Sequence, residues 1–174
     1  MMELIVNVSA DWGIGRKNQL LVSLHADLKR FREITSGHTV ILGRKTLQTF
    51  PGGRPLKNRR NIILSTSPTY LVEGAEVAHN VEELFSMISP EETCYVIGGE
   101  SVYRLLAPYC TRALVTKSYG SFAADRYFPD LDTDPNWQIE TEYEMLEENG
   151  VPFQYIDYVN LSPLPAPGGA ECTK

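Results

Sequence analysis

Residues 38–46 read HTVILGRKT, and residues 93–103 read TCYVIGGESVY. Both follow one grammar: a short apolar, β-branched run ends in glycine, and a polar segment with helical spacing begins. A run without polar alternation reads as a strand covered on both faces, as in a parallel sheet. Outward from these two units, ELIVNVS (3–9), RNIILST (60–66), AEVAH (75–79) and RALVTKSYG (112–120) read as further strands. Helical spacing spans 24–35, with Gly37 as its stop, and 81–88, with Asn80 as N-cap. It also spans 100–109, ending at Pro108, with one or two turns at 44–50. ADWGIGRKNQLLV (10–22) reads as a glycine-containing loop. From about 137 to 160 two alternating segments flank Asn149-Gly150, a hairpin signal. Strands alternating with helices and a closing hairpin predict a single α/β domain over 1–161. Its twisted, mostly parallel sheet of about eight strands carries an antiparallel C-terminal hairpin and about four flanking helices. The Pro/Gly-rich tail, 162–174, has little to bury and is expected to be disordered.

The 174 residues suffice for one core and leave no length for a second domain. A net charge of −6 and only short basic clusters, such as 57–60, argue against a general nucleic-acid binder. The N-terminal apolar run is too short for a signal or a membrane span, so a cytoplasmic location is expected. Cys94, Cys110 and Cys172 form no CxxC pair, and His25, His38 and His79 are scattered. That pattern predicts reduced thiols, no disulfide framework and no metal site.

One residue resists its surroundings. In LLVSLHADLKRFREI (20–34), Leu24, Leu28, Phe31 and Ile34 share a helix face, while Lys29, Arg30, Arg32 and Glu33 turn away. Asp27 falls inside the apolar stripe. Two readings stay open. With Ser23 as N-cap, Asp27 is a first-turn acid favoured by the helix dipole. Alternatively the stripe borders a pocket and the carboxylate serves a ligand.

Ligands of such sheets bind at the carboxyl ends of the strands, and three of those ends suit phosphate. At the first, Gly43 opens a helix carrying Arg44, Lys45 and Thr46. At the second, Gly98-Gly99 permits close backbone approach, and at the third Ser65 and Thr66 offer hydroxyls. Each is ordinary turn chemistry alone; together they suggest a phosphorylated ligand the size of a dinucleotide. Basic groups at these ends favour its 2′-phosphorylated form.

DWGIGRKNQL (11–20), ADLKRFR (26–32), VILGRKT (40–46), GRPLKNRRNIILS (53–65), YVIGGESVY (95–103) and DRYFPD (125–130) occur in an order and spacing that resemble dihydrofolate reductase of the bacterial chromosomal type. The resemblance covers about Leu4 to Val159. It implies hydride transfer from NADPH to 7,8-dihydrofolate, with Asp27 binding the pterin 2-amino group and N3. It also implies pocket walls from Ile5, Leu28 and Phe31, Leu56 beside the folate tail, and Arg59 on the glutamate α-carboxylate. Thr116 would support Asp27. On the cofactor side it points to Ile14, Gly43, Arg44, Lys45, Thr46, Ser65, Thr66, Ile97, Gly98, Gly99 and Tyr103. A mobile loop would include Gly15, Leu20 and Val22 and be braced by Asp125. The resemblance further implies binding of antifolates such as trimethoprim or methotrexate. The acidic balance and the short apolar run predict no nucleic-acid or membrane partner, and elements that all fit one closed domain predict a monomer.

The chain departs from the family pattern at Leu21-Val22, where Pro-Trp is usual. It departs again at His25, at Asn7 in place of a small apolar residue, and at Ser101 in place of a basic one. Val22 has no N–H to offer a water. Two other readings remain: a reductase of similar fold acting on another heterocycle, such as the pyrimidine reductase of riboflavin synthesis, and a non-catalytic nucleotide-binding protein. The Asp27 and Arg59 pair counts against the first.

Overall fold

The computed structural model describes residues 1–168. The chain opens with β1 (Met2–Ser9), β2 (Gly13–Arg16), β3 (Gln19–Leu20), α1 (His25–Thr35), β4 (Thr39–Gly43) and α2 (Arg44–Gln48). There follow β5 (Arg60–Leu64), β6 (Glu76–Ala78), α3 (Val81–Met87), β7 (Cys94–Gly98), α4 (Glu100–Leu106) and β8 (Arg112–Ser118). The chain closes with β9 (Arg126–Tyr127), β10 (Trp137–Glu142), β11 (Leu146–Glu148) and β12 (Val151–Asn160). The main sheet runs β10-β12-β8-β1-β7-β4-β5-β6, with β11 also on β12. Every pair from β8 to β6 is parallel, and β12 joins β8 antiparallel. This is the predicted α/β architecture. Asn149 and Gly150 take positive φ (50° and 78°), so both central turn residues are left-handed, as a two-residue hairpin turn requires.

The alternation of β1 divides the core. Leu4, Val6 and Val8 enter the large cluster on one face, with Ile41, Val96, Val115 and Phe128. Ile5 faces the other way, with Tyr95 and Leu114, and there Phe31 and Ile34 of α1 pack against it. The face under α1 therefore carries the odd-numbered β1 residues.

Three details differ from the sequence reading. The segment 10–22 is not simply a loop: β2 and β3 pair, and β9 adds to β2, in a small antiparallel sheet. Its turn, Lys17-Asn18, has φ of 50° and 60° without a glycine, so the usual hairpin signal was missing. Ser23 does not cap α1. Leu24 is the N-cap and makes no side-chain bond there; instead Glu148, at the tip of the distant hairpin, accepts from the N–H groups of His25 (2.6 Å) and Ala26 (2.9 Å). A carboxylate imported from elsewhere satisfies donors that the local sequence leaves open. Last, the Leu164 N–H donates to Pro108 O (2.9 Å), so the Pro/Gly-rich tail touches the body before 169–174, which lie outside the described residues.

Those two N–H bonds hold the Glu148 carboxyl below the usual carboxylate range. A depressed folded pKa stabilises above the unfolded pKa and loses that effect as pH falls through the folded one. Thermal melts of Glu148→Gln should therefore show a lower Tm than wild type at neutral pH. The gap should close in acid. A gap independent of pH would mean that the charge on Glu148 is not what matters.

Candidate active site

β1 and β8 pair in parallel with Asn7 opposite Thr116, so both side chains project from the same face, beneath α1. Asp27 lies one turn before Phe31 and meets them there. Thr116 Oγ1 donates to Asp27 Oδ1 (2.5 Å), and Asn7 Nδ2 donates to Asp27 Oδ2 (3.1 Å). Burial pushes the Asp27 pKa up; the bonds from Thr116 and Asn7 oppose that shift, as does Arg30, and Glu148 adds to it. Asp27 does lie in the first turn of α1, where the helix dipole favours an acid, but its hydrogen bonds go to the sheet and not to its own helix.

Beside Asn7 opens a cleft of about 960 Å³. It is lined by Gly43, Arg44, Lys45 and Thr46 from the β4–α2 turn, Ser65 and Thr66 beyond β5, and Ile97, Gly98, Gly99 and Tyr103 around the β7–α4 turn. Ile14, Gly15 and Leu20 of the small sheet form its other wall. Thus the cofactor-side residues expected from the sequence converge. So does Ser101, which brings no charge. Arg126 and Arg104, which the sequence reading did not single out, also reach the cleft.

The glycines sit in close quarters. A Cβ on Gly99 would stand 3.0 Å from Thr46 Oγ1, and one on Gly98 3.2 Å from the same atom. A Cβ on Gly43 would stand 3.1 Å from Val102 Cγ2. Gly98 also has φ of +144°. α2 has five residues and α4 seven, and neither first turn has a side-chain cap. With so few aligned peptides, the field at the cleft comes mainly from the formal charges of Arg44 and Lys45 and from individual N–H groups. Arg44 stacks over the Tyr70 ring, 5.0 Å from its centre. The Tyr103 hydroxyl is buried and donates to Ile5 O (2.8 Å), tying α4 to β1.

On the other flank, Ile97 packs against both the Ile5–Phe31 cluster and the cluster holding Phe50 and Leu56. Leu28, on the same helix, is 46% exposed. The two adjacent arginines separate cleanly. Arg60 pairs with Glu76 (2.6 Å) and Glu92 (2.9 Å), whose charges hold it protonated. Among the described residues Arg59 has only neutral partners, Lys57 O (2.9 Å) and Thr35 Oγ1 (3.1 Å), and it stands over the Phe31 ring at 6.0 Å. Burial and neighbouring Arg32 disfavour its charge, so an incoming anion gains from it. The Asn61 side chain binds Leu56 N–H, Leu56 O and Arg59 O, fixing the loop that presents Leu56 and Arg59.

The small sheet is braced from β9's side. Asp125 Oδ2 accepts from the Lys17 N–H, and the Asp125 N–H donates to Gly15 O, both at 2.9 Å. Val22 lies apart from the cleft lining, buried with Leu24 and Phe153. Among the described residues no group of His, Cys, Asp or Glu is placed to hold a metal, and no helix is long and apolar enough to cross a membrane.

A family model described as dihydrofolate reductase matches residues 1–160. The chain belongs to the dihydrofolate reductase family. It is 36% identical over 155 residues to the dihydrofolate reductase of Bacillus subtilis, covering 89% of this chain and 90% of that one. With that of Staphylococcus haemolyticus it shares 32% over 158 residues, 91% and 93% of the two chains. Its fold is similar to that of a dihydrofolate reductase from Enterococcus faecalis solved with NADP(H) and RAB-propyl. The TM-score is 0.83, with 31% identity over 92% of this chain and 96% of that one. Within this family setting, the contact from Asn7 to the acid was the feature the sequence reading missed. Its only signal was a polar residue at an odd position of β1.

The raised Asp27 pKa has a consequence for folding. The unfolded chain loses this proton at lower pH than the folded one, so rising pH favours unfolding across that interval. Asp27→Asn removes the effect. Relative to wild type, its Tm should gain as pH rises from the unfolded carboxylate value, about 4, through the higher folded one. A difference that stays constant with pH would show that burial does not penalise this carboxylate.

Proposed function

We propose that this protein reduces 7,8-dihydrofolate to 5,6,7,8-tetrahydrofolate with NADPH. The observation that carries the reading is a carboxylate bonded by Thr116 and by Asn7, the latter itself lining a cleft that bears Gly43, Gly98, Gly99, Arg44 and Lys45. The cleft fits the cofactor on its own features. Gly98 and Gly99 leave the backbone bare beside Thr46, where a Cβ would crowd its hydroxyl, so a pyrophosphate can approach the backbone closely there. Arg44, Lys45, Ser65 and Thr66 would receive the adenosine 2′-phosphate. When bound, NADPH supplies the hydride that goes from its C4 to C6 of the pterin.

The chain's own residues do the rest. Asp27 would take the 2-amino and N3 hydrogens as two parallel bonds, which sets both the position and the tilt of the ring. Its negative charge favours the ring form protonated at N5, the proton coming from water. Arg59 would clasp the glutamate α-carboxylate, with Leu56 and Phe31 along the folate tail and Ile5 and Leu28 beside the ring. Ile14, Gly15 and Leu20 would close over the reacting carbons, held by Asp125, and exclude water there. The same acid would bind antifolates of the trimethoprim or methotrexate kind. We further propose that the protein acts as a cytoplasmic monomer, without nucleic-acid or membrane partners.

Mixing the protein with NADPH and dihydrofolate and following cofactor oxidation tests the reading. Wild type should turn over, and Asp27→Asn should lose most of the rate at neutral pH. Equal rates for the two across pH would remove the role given to Asp27. Arg59→Ala should raise the KM for dihydrofolate by about tenfold or more with little change in kcat, because it removes a charge-assisted bond remote from the reacting carbons. An unaltered KM would place the glutamate elsewhere.

A further inference from the structure

Asn7 is attached to three elements at once. Its Nδ2 lies 3.1 Å from Asp27 Oδ2 on α1 and 3.4 Å from Val22 O, in the segment between β3 and α1. Its Oδ1 accepts from Ser118 Oγ on β8, at 3.0 Å. The amide orientation follows from chemistry: an ionised Asp27 and a backbone carbonyl are both acceptors only, so the NH₂ must face them. Ser118 then meets the amide oxygen, and every polar atom of the side chain has a partner.

The consequence for Asp27 is a matter of counting lone pairs. Its two oxygens offer about four acceptor directions. Thr116 takes one on Oδ1 and Asn7 takes one on Oδ2. One direction per oxygen remains, and the pair can receive two parallel N–H donors from a planar heterocycle. With only Thr116 in place, the carboxylate could rotate about its last bond, and Oδ2 would lack a fixed protein donor. Val22 offers none, since its side chain is apolar and buried with Leu24 and Phe153.

We propose that Asn7 is a positioning residue of this enzyme: its amide fixes Oδ2 of Asp27 and ties that carboxylate to the Val22 carbonyl and to Ser118. The proposal rests on the dihydrofolate reductase reading of the same site. Besides orienting the acid, a donor on Oδ2 favours its charged form. The other groups facing Asp27 are Arg30 on its own helix, Glu148 on β11, Tyr103 on α4, Tyr155 on β12 and the Thr116 hydroxyl on β8. Among these, only Asn7 and Thr116 donate hydrogen bonds to the carboxylate.

The test uses the full chain with Asn7→Ala and Asn7→Leu. Both lack the donor, and leucine retains most of the volume. The Asp27 carboxyl is titrated by its side-chain ¹³C resonance in the protein without ligands, and kcat and KM for dihydrofolate are measured alongside. Both variants should move the Asp27 midpoint upward by about half to one pH unit, the size of one net hydrogen bond. The KM should rise about threefold to tenfold. If only one variant folds, its midpoint decides. An active wild type whose Asp27 midpoint is unmoved in the variants overturns the role of Asn7 alone. A wild type that oxidises no NADPH with dihydrofolate overturns the functional reading, and the enzymatic role of Asn7 with it.

Discussion

The parallel register of β1 against β8 is the constraint on which this site depends. It sets Asn7 opposite Thr116 and Ile5 opposite Leu114. A slip of one residue in either strand would turn its side chains to the opposite face. The apolar pair then anchors Phe31 and Ile34 of α1, and the polar pair receives Asp27 one helical turn earlier. Helix position and carboxylate position are thus fixed by the same two strands. The register is secured in turn by β12, which pairs with β8 along its length and whose hairpin returns Glu148 to the start of α1.

This arrangement explains why an acid is tolerated in an apolar stripe. Burial works against its charge, and the sheet answers with two neutral donors and no cation in direct contact. A close ion pair would hold the carboxylate ionised but would also use the lone pairs a ligand needs. Neutral donors leave it accessible and only partly compensated. The same logic separates the arginines. Arg60 is neutralised by Glu76 and Glu92 and belongs to the framework; Arg59 is left with neutral acceptors beside Phe31. Residues kept short of a charged partner are those with something to gain from a ligand.

Much of the architecture was legible because it lies in local pattern. Unalternated runs ending in glycine marked β4 and β7, Asn149-Gly150 marked the hairpin, and the misplaced Asp27 pointed to the candidate site. What escaped was long-range or lacked its usual chemical signature. The β2–β3 turn uses Lys17-Asn18 in left-handed conformation, where glycine would have announced it. The cap of α1 comes from a residue more than a hundred positions away, so Ser23 looked like the better candidate. The resemblance already named Arg59; what the fold adds is that Glu76 and Glu92 come together on Arg60.

Asn7 shows the limit most clearly. By pattern it is a polar interruption of a buried strand, and by resemblance a departure from a small apolar position. Neither view contains Asp27, because the bond between them exists only when α1 lies across β1 and β8. Its two other partners narrow the meaning further. A side chain needed only to fill space would not require three directed bonds, and an asparagine kept only for strand stability would not aim its donors at a carboxylate and a carbonyl outside the sheet. Val22 reinforces this: with its side chain committed to Leu24 and Phe153, it contributes only its backbone oxygen, and that oxygen meets the same amide. The donor missing from the segment before α1 is supplied from β1, through a strand position whose side chain already faces the acid.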